Sequence, residues 1–287
     1  MNASKIFYGG GGRRSPVNSG SQADGVIYAI TPHGRLQWYR DDNRHGNNGP
    51  KAERGWAASS GNQIGIGWNG FTHVLSSGDG IIYAITPDGR LLWYRDDDRN
   101  GNNGPNAERG WAAGSGNQIG IGWNGFTHVF SDGAGIIYAI TPDGRLLWYR
   151  DDDRNGNNGP NAEKGWAAGS GNQIGIGWHS FVHVCASGGN IYAITPDGRL
   201  LWYRDDDRNG NNGPNAERGW AAGSGNQIGI GWNGFTHVFG GGFEAPTINE
   251  EGGIIIYAVA QLLSISGRIS GGLFWYRDAD TLAACRN

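Results

Sequence analysis

Cysteine and charge of either sign are scarce in this chain, and each shortage narrows what it can be. Two cysteines, Cys185 and Cys285, in 287 residues do not make a disulfide scaffold. A bridge between them and a pair of idle thiols stay open as alternatives. Charged residues make up 17%, with 23 basic against 26 acidic side chains and a formal net charge of −3. The basic residues are dispersed among carboxylates, so nucleic acid and anionic membrane are poor partners. No stretch reaches the roughly 18 apolar residues of a membrane span, which argues against membrane insertion. The opening MNASKIFYGGGGRR lacks the apolar centre of about 7 to 15 residues that a secretory leader carries. The expectation is a soluble chain, cytoplasmic or released by a non-classical route.

Hydrophobic content is also low at 37%, whereas 54 glycines and 13 tryptophans are abundant. Burial must therefore rest on a few large rings beside closely approaching backbone, a composition that favours short strands and tight turns. The abundance is organised. ERGWAAGSGNQIGIGWNGFTHVF, from Glu108 to Phe130, recurs almost letter for letter at Glu53, Glu163 and Glu217. A Trp-Tyr-Arg string recurs at Trp38, Trp93, Trp148, Trp202 and Trp275, spaced by 55, 55, 54 and 73 residues. Five units follow, the last of them irregular, as one array across residues 1–287.

Within a unit, Ile136 to Arg150 (IIYAITPDGRLLWYR) reads as a β-hairpin: β-branched and aromatic runs flank Pro and Asp-Gly at turn positions. FTHVF before it is a third strand, and a fourth is expected within Trp111 to Ile119, weakened by its glycines. Four short antiparallel strands repeated five times describe an all-β, five-bladed β-propeller with four-stranded blades. Lys5 to Tyr8 opens blade 1. After Trp275 no Trp-rich fourth strand follows, so the fifth blade is expected to be incomplete, with insertions at Gly240 to Gly253 and around Leu262 to Ser270.

QIGIGWNGFTHVF (Gln118 to Phe130), GIIYAI (Gly135 to Ile140), LLWYR (Leu146 to Arg150) and KGWAAGSG (Lys164 to Gly171) together resemble the tachylectin-2 type of five-bladed propeller lectin over nearly the whole chain. The resemblance implies binding of N-acetylglucosamine or N-acetylgalactosamine, one per blade, between adjacent blades, at the loop before the last strand and the link into the next blade. It implies no enzyme activity, no cofactor and no metal. Implied partners are glycans or glycoproteins with terminal N-acetyl amino sugars, bound by a monomer. The connection DDDRNGNNGPNAERG departs from the family pattern by its length, and the truncated unit is expected to cost one site, leaving four regular ones.

Four sets of residues are candidates for that chemistry. The link tryptophans Trp68, Trp123, Trp178 and Trp232 read either as exposed platforms for the C–H face of a pyranose or as wedges between sheets, and the same choice applies to Trp56, Trp111, Trp166 and Trp220. The next residue along, Asn69, Asn124, His179 or Asn233, brings an amide or imidazole that suits sugar hydroxyls, although such a residue also forms turns. Asp41, Asp96, Asp151 and Asp205 open an acidic loop that could bond sugar. It imitates the start of a calcium loop but lacks the terminal Glu at the twelfth position. His73, His128, His183 and His237 recur in the first strand, where they could converge on a metal or serve as satisfied polar residues, with Ile6 as the apparent match in unit one.

Catalytic signatures are missing: every acidic residue recurs with its unit, whereas glycoside cleavage needs one asymmetric carboxylate pair. IYAITPDGRLLW also resembles the repeat of quinone-dependent dehydrogenase propellers, which would imply an oxidoreductase or an assembly scaffold. A plain protein-binding propeller is a further alternative.

Overall fold

The computed structural model describes residues 3–9, 25–44, 46, 48, 54–244, 253–263 and 269–279. Among these residues nineteen strands form five antiparallel sheets in consecutive order. Blade 1 holds β1 (Lys5–Tyr8), β2 (Val26–Ile30), β3 (Leu36–Arg40) and β4 (Asn62–Gly65). Blade 2 holds β5 (His73–Ser76), β6 (Ile81–Ile85), β7 (Leu91–Arg95) and β8 (Asn117–Gly120). Blade 3 holds β9 (His128–Gly133), β10 (Ile136–Ile140), β11 (Leu146–Arg150) and β12 (Asn172–Gly175). Blade 4 holds β13 (His183–Ser187), β14 (Asn190–Ile194), β15 (Leu200–Arg204) and β16 (Asn226–Gly229). Blade 5 has three strands, β17 (Phe235–Glu244), β18 (Gly253–Leu263) and β19 (Ile269–Asp278). The protein is a five-bladed β-propeller with a short fifth blade. No helix among the described residues is long and apolar enough to cross a membrane.

The hairpins form where their turn chemistry places them. In blade 3, Tyr138 faces Trp148 and Ile140 faces Leu146. The turn between is fixed by Gly144 N donating to Thr141 O and Arg145 N donating to Thr141 Oγ1, both at 2.9 Å. The second strand of each blade is buried on both faces because a neighbouring blade covers each one. Ile137 and Ala139 pack toward blade 2, while Ile136, Tyr138 and Ile140 pack toward blade 4. The core is thus five inter-blade layers, not one central cluster.

The fourth strand is shorter than expected. β8 covers only Asn117–Gly120, and Trp111 meets Asp96 in a lone bridge. Gly114 and Gly116 between them have φ of 85° and 94°, so the chain turns there instead of extending. The strands of the fifth hairpin reach 11 and 10 residues, against 5 in the others. Parts of both expected insertions, and Cys285, lie outside the described residues. Cys185 is a buried free thiol whose pKa burial pushes up to about 12.

Candidate functional site between the blades

Each link between blades begins with a glycine in the left-handed region, φ 78° at both Gly67 and Gly122, followed by one turn of 3-10 helix over Trp68–Gly70 or Trp123–Gly125. Trp68 N donates to Gly34 O at 3.0 Å, tying that turn to the blade-1 hairpin. This turn drives the indole between two sheets. Trp68, Trp123, Trp178 and Trp232 are all buried, which is the wedge arrangement.

Trp68 packs at 4.8 Å on Tyr94, 5.5 Å on Phe71 and 5.9 Å, stacked, on Trp111. The same cluster recurs as Trp123, Tyr149 and Trp166 (4.7 and 6.0 Å) and as Trp178, Tyr203 and Trp220 (4.7 and 6.0 Å). Trp111, Trp166 and Trp220 are half-buried. Their Nε1–H groups donate across the interface to Ile64 O, Ile119 O and Ile174 O at 3.1 to 3.2 Å. Three interfaces therefore carry a complete cluster. Among the described residues, Trp232 at blade 4/5 meets Phe235 and Tyr276 without an outer tryptophan, and Tyr39 and Trp56 at blade 5/1 meet each other without a link tryptophan.

The residues after the link tryptophans are exposed. Asn69, Asn124 and Asn233 donate from Nδ2 to Pro32 O, Pro87 O and Pro196 O at 3.3 to 3.4 Å. His179 holds the same place, with its Nδ1 against Gly144. Beside them Ile66, Ile121, Ile176 and Ile230 are also exposed, Ile66 at 57%. Sequence reasoning missed these isoleucines. The signal was the IGIGW string, in which the first Ile of blades 1 to 3 turns inward and the second outward.

The acidic loop lies at the opposite end of the blade, and its first carboxylate is not brought to the link. Asp41, Asp96, Asp151 and Asp205 are buried. Asp96 Oδ1 accepts from Arg99 N and Asn103 Nδ2, both at 3.0 Å, and Oδ2 accepts from Tyr28 of the preceding blade at 3.0 Å. Tyr83 to Asp151, Tyr138 to Asp205, Tyr192 to Asp278 and Tyr257 to Asp41 repeat that bond at 2.7 to 3.0 Å, one at each of the five interfaces. Burial, then the neighbouring carboxylate, holds the phenols of Tyr28 and Tyr83 well above 10.0, so both remain donors. These aspartates latch blade to blade. The loop also covers the tryptophan of the preceding blade: a Cβ on Gly156 would come within 2.5 Å of the Trp93 ring, so only glycine fits there. Among the described residues no group of three His, Cys, Asp or Glu could hold a metal ion.

The first-strand histidines form a belt of inter-blade bonds. His73 meets Thr127 O, His183 meets Phe235 O and His237 meets Ser4 O at 2.9 to 3.4 Å, and His128 bonds the backbone of Val182. Burial lowers the pKa of His73, His128 and His183, favouring neutral imidazole. The matching residue of blade 1 is Lys5, not Ile6. Lys5 pairs with Ile30 as His73 pairs with Ile85, and its Nζ donates to Phe71 O. A four-residue strand offers too little sequence to set that register.

The tachylectin family model matches residues 29–261, most of the chain. The protein belongs to the tachylectin family. That membership makes it a propeller of a lectin family and points to binding over catalysis. Among curated proteins none matches this sequence. Solved structures similar to it include yeast RCC1 (Prp20) bound to Kap60, at 13% identity and TM-score 0.36, covering 91% of this chain and 54% of that one. Human WBSCR16 is similar at 12% identity and TM-score 0.35, covering 83% and 55%. The computationally designed Ika4 protein is similar at 11% and 0.29, covering 72% and 91%. The tachylectin chain thus spans about half the length of the yeast and human proteins.

Proposed function

We propose that this tachylectin-family propeller is a multivalent lectin that binds N-acetylglucosamine or N-acetylgalactosamine at the three interfaces with a complete aromatic cluster. The observation that carries the reading is the recurrence of one geometry, Trp68–Tyr94–Trp111, at three places related by the repeat. In each, the inner indole is fully used as a wedge, while the outer indole and the tyrosine keep part of their surface open. A pyranose ring lies with its C–H face on that open surface. The exposed Asn69-type amide and Ile66-type side chain offer a polar and an apolar contact, the pair an acetamido group presents. His179 distinguishes the third site.

The latch aspartates fall outside this contact set, since their oxygens already accept protein donors. Three weak sites on one rigid body give a gain of about 10² to 10⁴ toward clustered glycans, and agglutination by a monomer follows. Calorimetry with N-acetylglucosamine is expected to give a stoichiometry near three, falling to two in Trp166→Ala, with agglutination reduced. A stoichiometry near one, or no signal for any sugar on a glycan array, would sink the proposal.

A further inference from the structure

The first strands β1, β5, β9, β13 and β17 pack on one another around the propeller axis, each against the next and β17 against β1. At the end where the links run, each carries one basic residue: Lys5, His73, His128, His183 and His237. Their bonds close a circle. Lys5 reaches Phe71 O of blade 2, His73 reaches Thr127 O of blade 3, His128 reaches the Val182 backbone of blade 4, His183 reaches Phe235 O of blade 5, and His237 returns to Ser4 O of blade 1. All five side chains are half-buried, so the ring they form keeps an open side to solvent.

The surroundings of the imidazoles are wired for a positive charge. Thr72, Thr127 and Thr236 give their hydroxyl hydrogens to Ile85 O, Ile140 O and Val259 O at 3.0 to 3.1 Å. Each turns an oxygen lone pair to the Nδ1 of His73, His128 or His237 at 3.1 to 3.3 Å. Both nitrogens of these rings therefore face acceptors. Neutral imidazole has one N–H and satisfies one acceptor, whereas imidazolium has two and satisfies both. Beside His183, Val182 replaces the threonine, and among the described residues the His183 Nδ1 has no partner. Lys5 gives one of its ammonium hydrogens to Phe71 O, which leaves others for a ligand.

Against that wiring stand burial and mutual repulsion. Burial lowers the pKa of His73, His128 and His183; His128 and Lys5 then act on His73, and His237 and His128 on His183, always in the same direction. Carboxylates do not offset this. Asp88, Asp143 and Asp197, in the hairpin turns at this end, are each engaged at 3.0 Å by Arg90, Arg145 or Arg199. The remaining ionisable groups of the first strands, Tyr8, Asp132, Cys185 and Glu244, lie farther along, toward the acidic loops, as do the second-strand tyrosines that bond the latch aspartates. We infer that the link-side mouth of the propeller axis binds one free divalent oxyanion, sulfate or phosphate, held by the Lys5 ammonium and the His183 Nδ1–H inside the ring of imidazoles. An anion on the axis offsets the repulsion among the five cations, and the ring charges as the anion enters. The site is separate from the sugar contacts between blades.

Sodium sulfate titrated into the full chain, with chloride at equal ionic strength as the reference, tests this, because sulfate keeps its charge over the range in which histidine titrates. The expected result is saturable one-to-one binding, at least about tenfold tighter near pH 5 than near pH 7.5. By linkage, sulfate is expected to move the imidazole titrations of the ring histidines upward in NMR spectra and to raise the unfolding midpoint near pH 5. Lys5→Gln and His183→Gln, which keep an amide donor to Phe71 O and Phe235 O, are each expected to weaken sulfate at least about fivefold. His33→Gln, at an exposed histidine of the blade-1 hairpin turn, leaves it unchanged. Absence of a saturable site, or imidazole titrations that sulfate and chloride leave alike, overturns the inference in the parent chain itself. Binding that Lys5→Gln and His183→Gln both leave intact overturns it too, as the mark of an adventitious ion only.

Discussion

β12 of blade 3 and β16 of blade 4 have the same sequence, Asn-Gln-Ile-Gly, yet different surroundings. Ile174 of β12 is 0% exposed and Ile228 of β16 is 47% exposed. The third strand beside each follows suit: Trp148 is fully buried, while Trp202 is half-buried and donates to Asn190 Oδ1 at 3.0 Å. What separates them is the next blade. Blade 4 supplies an acidic loop that closes over blade 3, and among the described residues no loop of blade 5 closes over blade 4. The burial of a fourth strand is therefore a property of its neighbour, and the acidic loop, anchored by its aspartate, is the part that confers it.

Removing the anchor at a complete interface is expected to have the largest effect. Asp151→Ala strands the Tyr83 hydroxyl, Arg154 N and the Asn158 amide as buried donors. A loss of about 3 kcal/mol is expected by denaturant unfolding, since each orphaned buried donor costs about 1 to 3 kcal/mol and some will find partial compensation. Asp278→Ala, on the half-buried residue that receives Tyr192 at the open side of blade 4, is expected to lose about 1 kcal/mol. Equal losses would mean that the loop is not what distinguishes the two interfaces.

The isoleucines give a contrast of similar size that is more direct. Ile119→Ala at a closed interface is expected to cost about 3 kcal/mol, within the usual range for a buried large-to-small change. Ile228→Ala, the same change in the same sequence context, is expected to cost less than about 1 kcal/mol because nearly half of that side chain already meets water. Matching unfolding midpoints for the two variants would contradict the exposure difference.

Much of this architecture was legible in the sequence, because strand alternation and turn chemistry act locally. The hairpin pairing Tyr138 with Trp148 followed from residues a few positions apart, and the five units and the three-stranded fifth blade from the recurrence of those local strings along the chain. Contacts between units were not legible. Tyr28 and Asp96 each occur once per repeat, but nothing in a repeat says that the partner is in the next copy, 68 residues on. The aspartates therefore read as candidate ligand contacts, and their bonds to the tyrosine of the preceding blade were not visible. The link tryptophans allowed two readings for the same reason, since only the neighbouring sheet decides whether an indole is covered. Ile66 was overlooked because it lies just past the end of the four-residue β4, where alternation is not displayed.

Complete interfaces also differ subtly among themselves, and one such difference titrates. At blade 2/3, Ser77 Oγ accepts from Gly135 N at 2.7 Å. At blade 3/4, Asp132 does the corresponding work, accepting from Gly189 N at 3.0 Å and Arg208 Nε at 2.9 Å with its side chain wholly buried. Burial raises the Asp132 pKa from 3.8 to about 6, against the opposing pull of Arg208. Between those values the folded chain keeps a proton that the unfolded chain has released. The stability of the neutral carboxyl is thus complete below about pH 4 and is lost as pH rises through 6. Asp132→Asn removes that titration while keeping the shape. The variant is expected to match the parent at pH 4 and to exceed it by on the order of 1 to 2 kcal/mol at pH 7. Comparing variant with parent cancels the opposite trend of the buried histidines, whose lowered pKa values weaken the fold as pH falls. If the parent instead gains on the variant between pH 4 and 7, the Arg208 ion pair outweighs burial, and the charged latch is the stronger of the two designs.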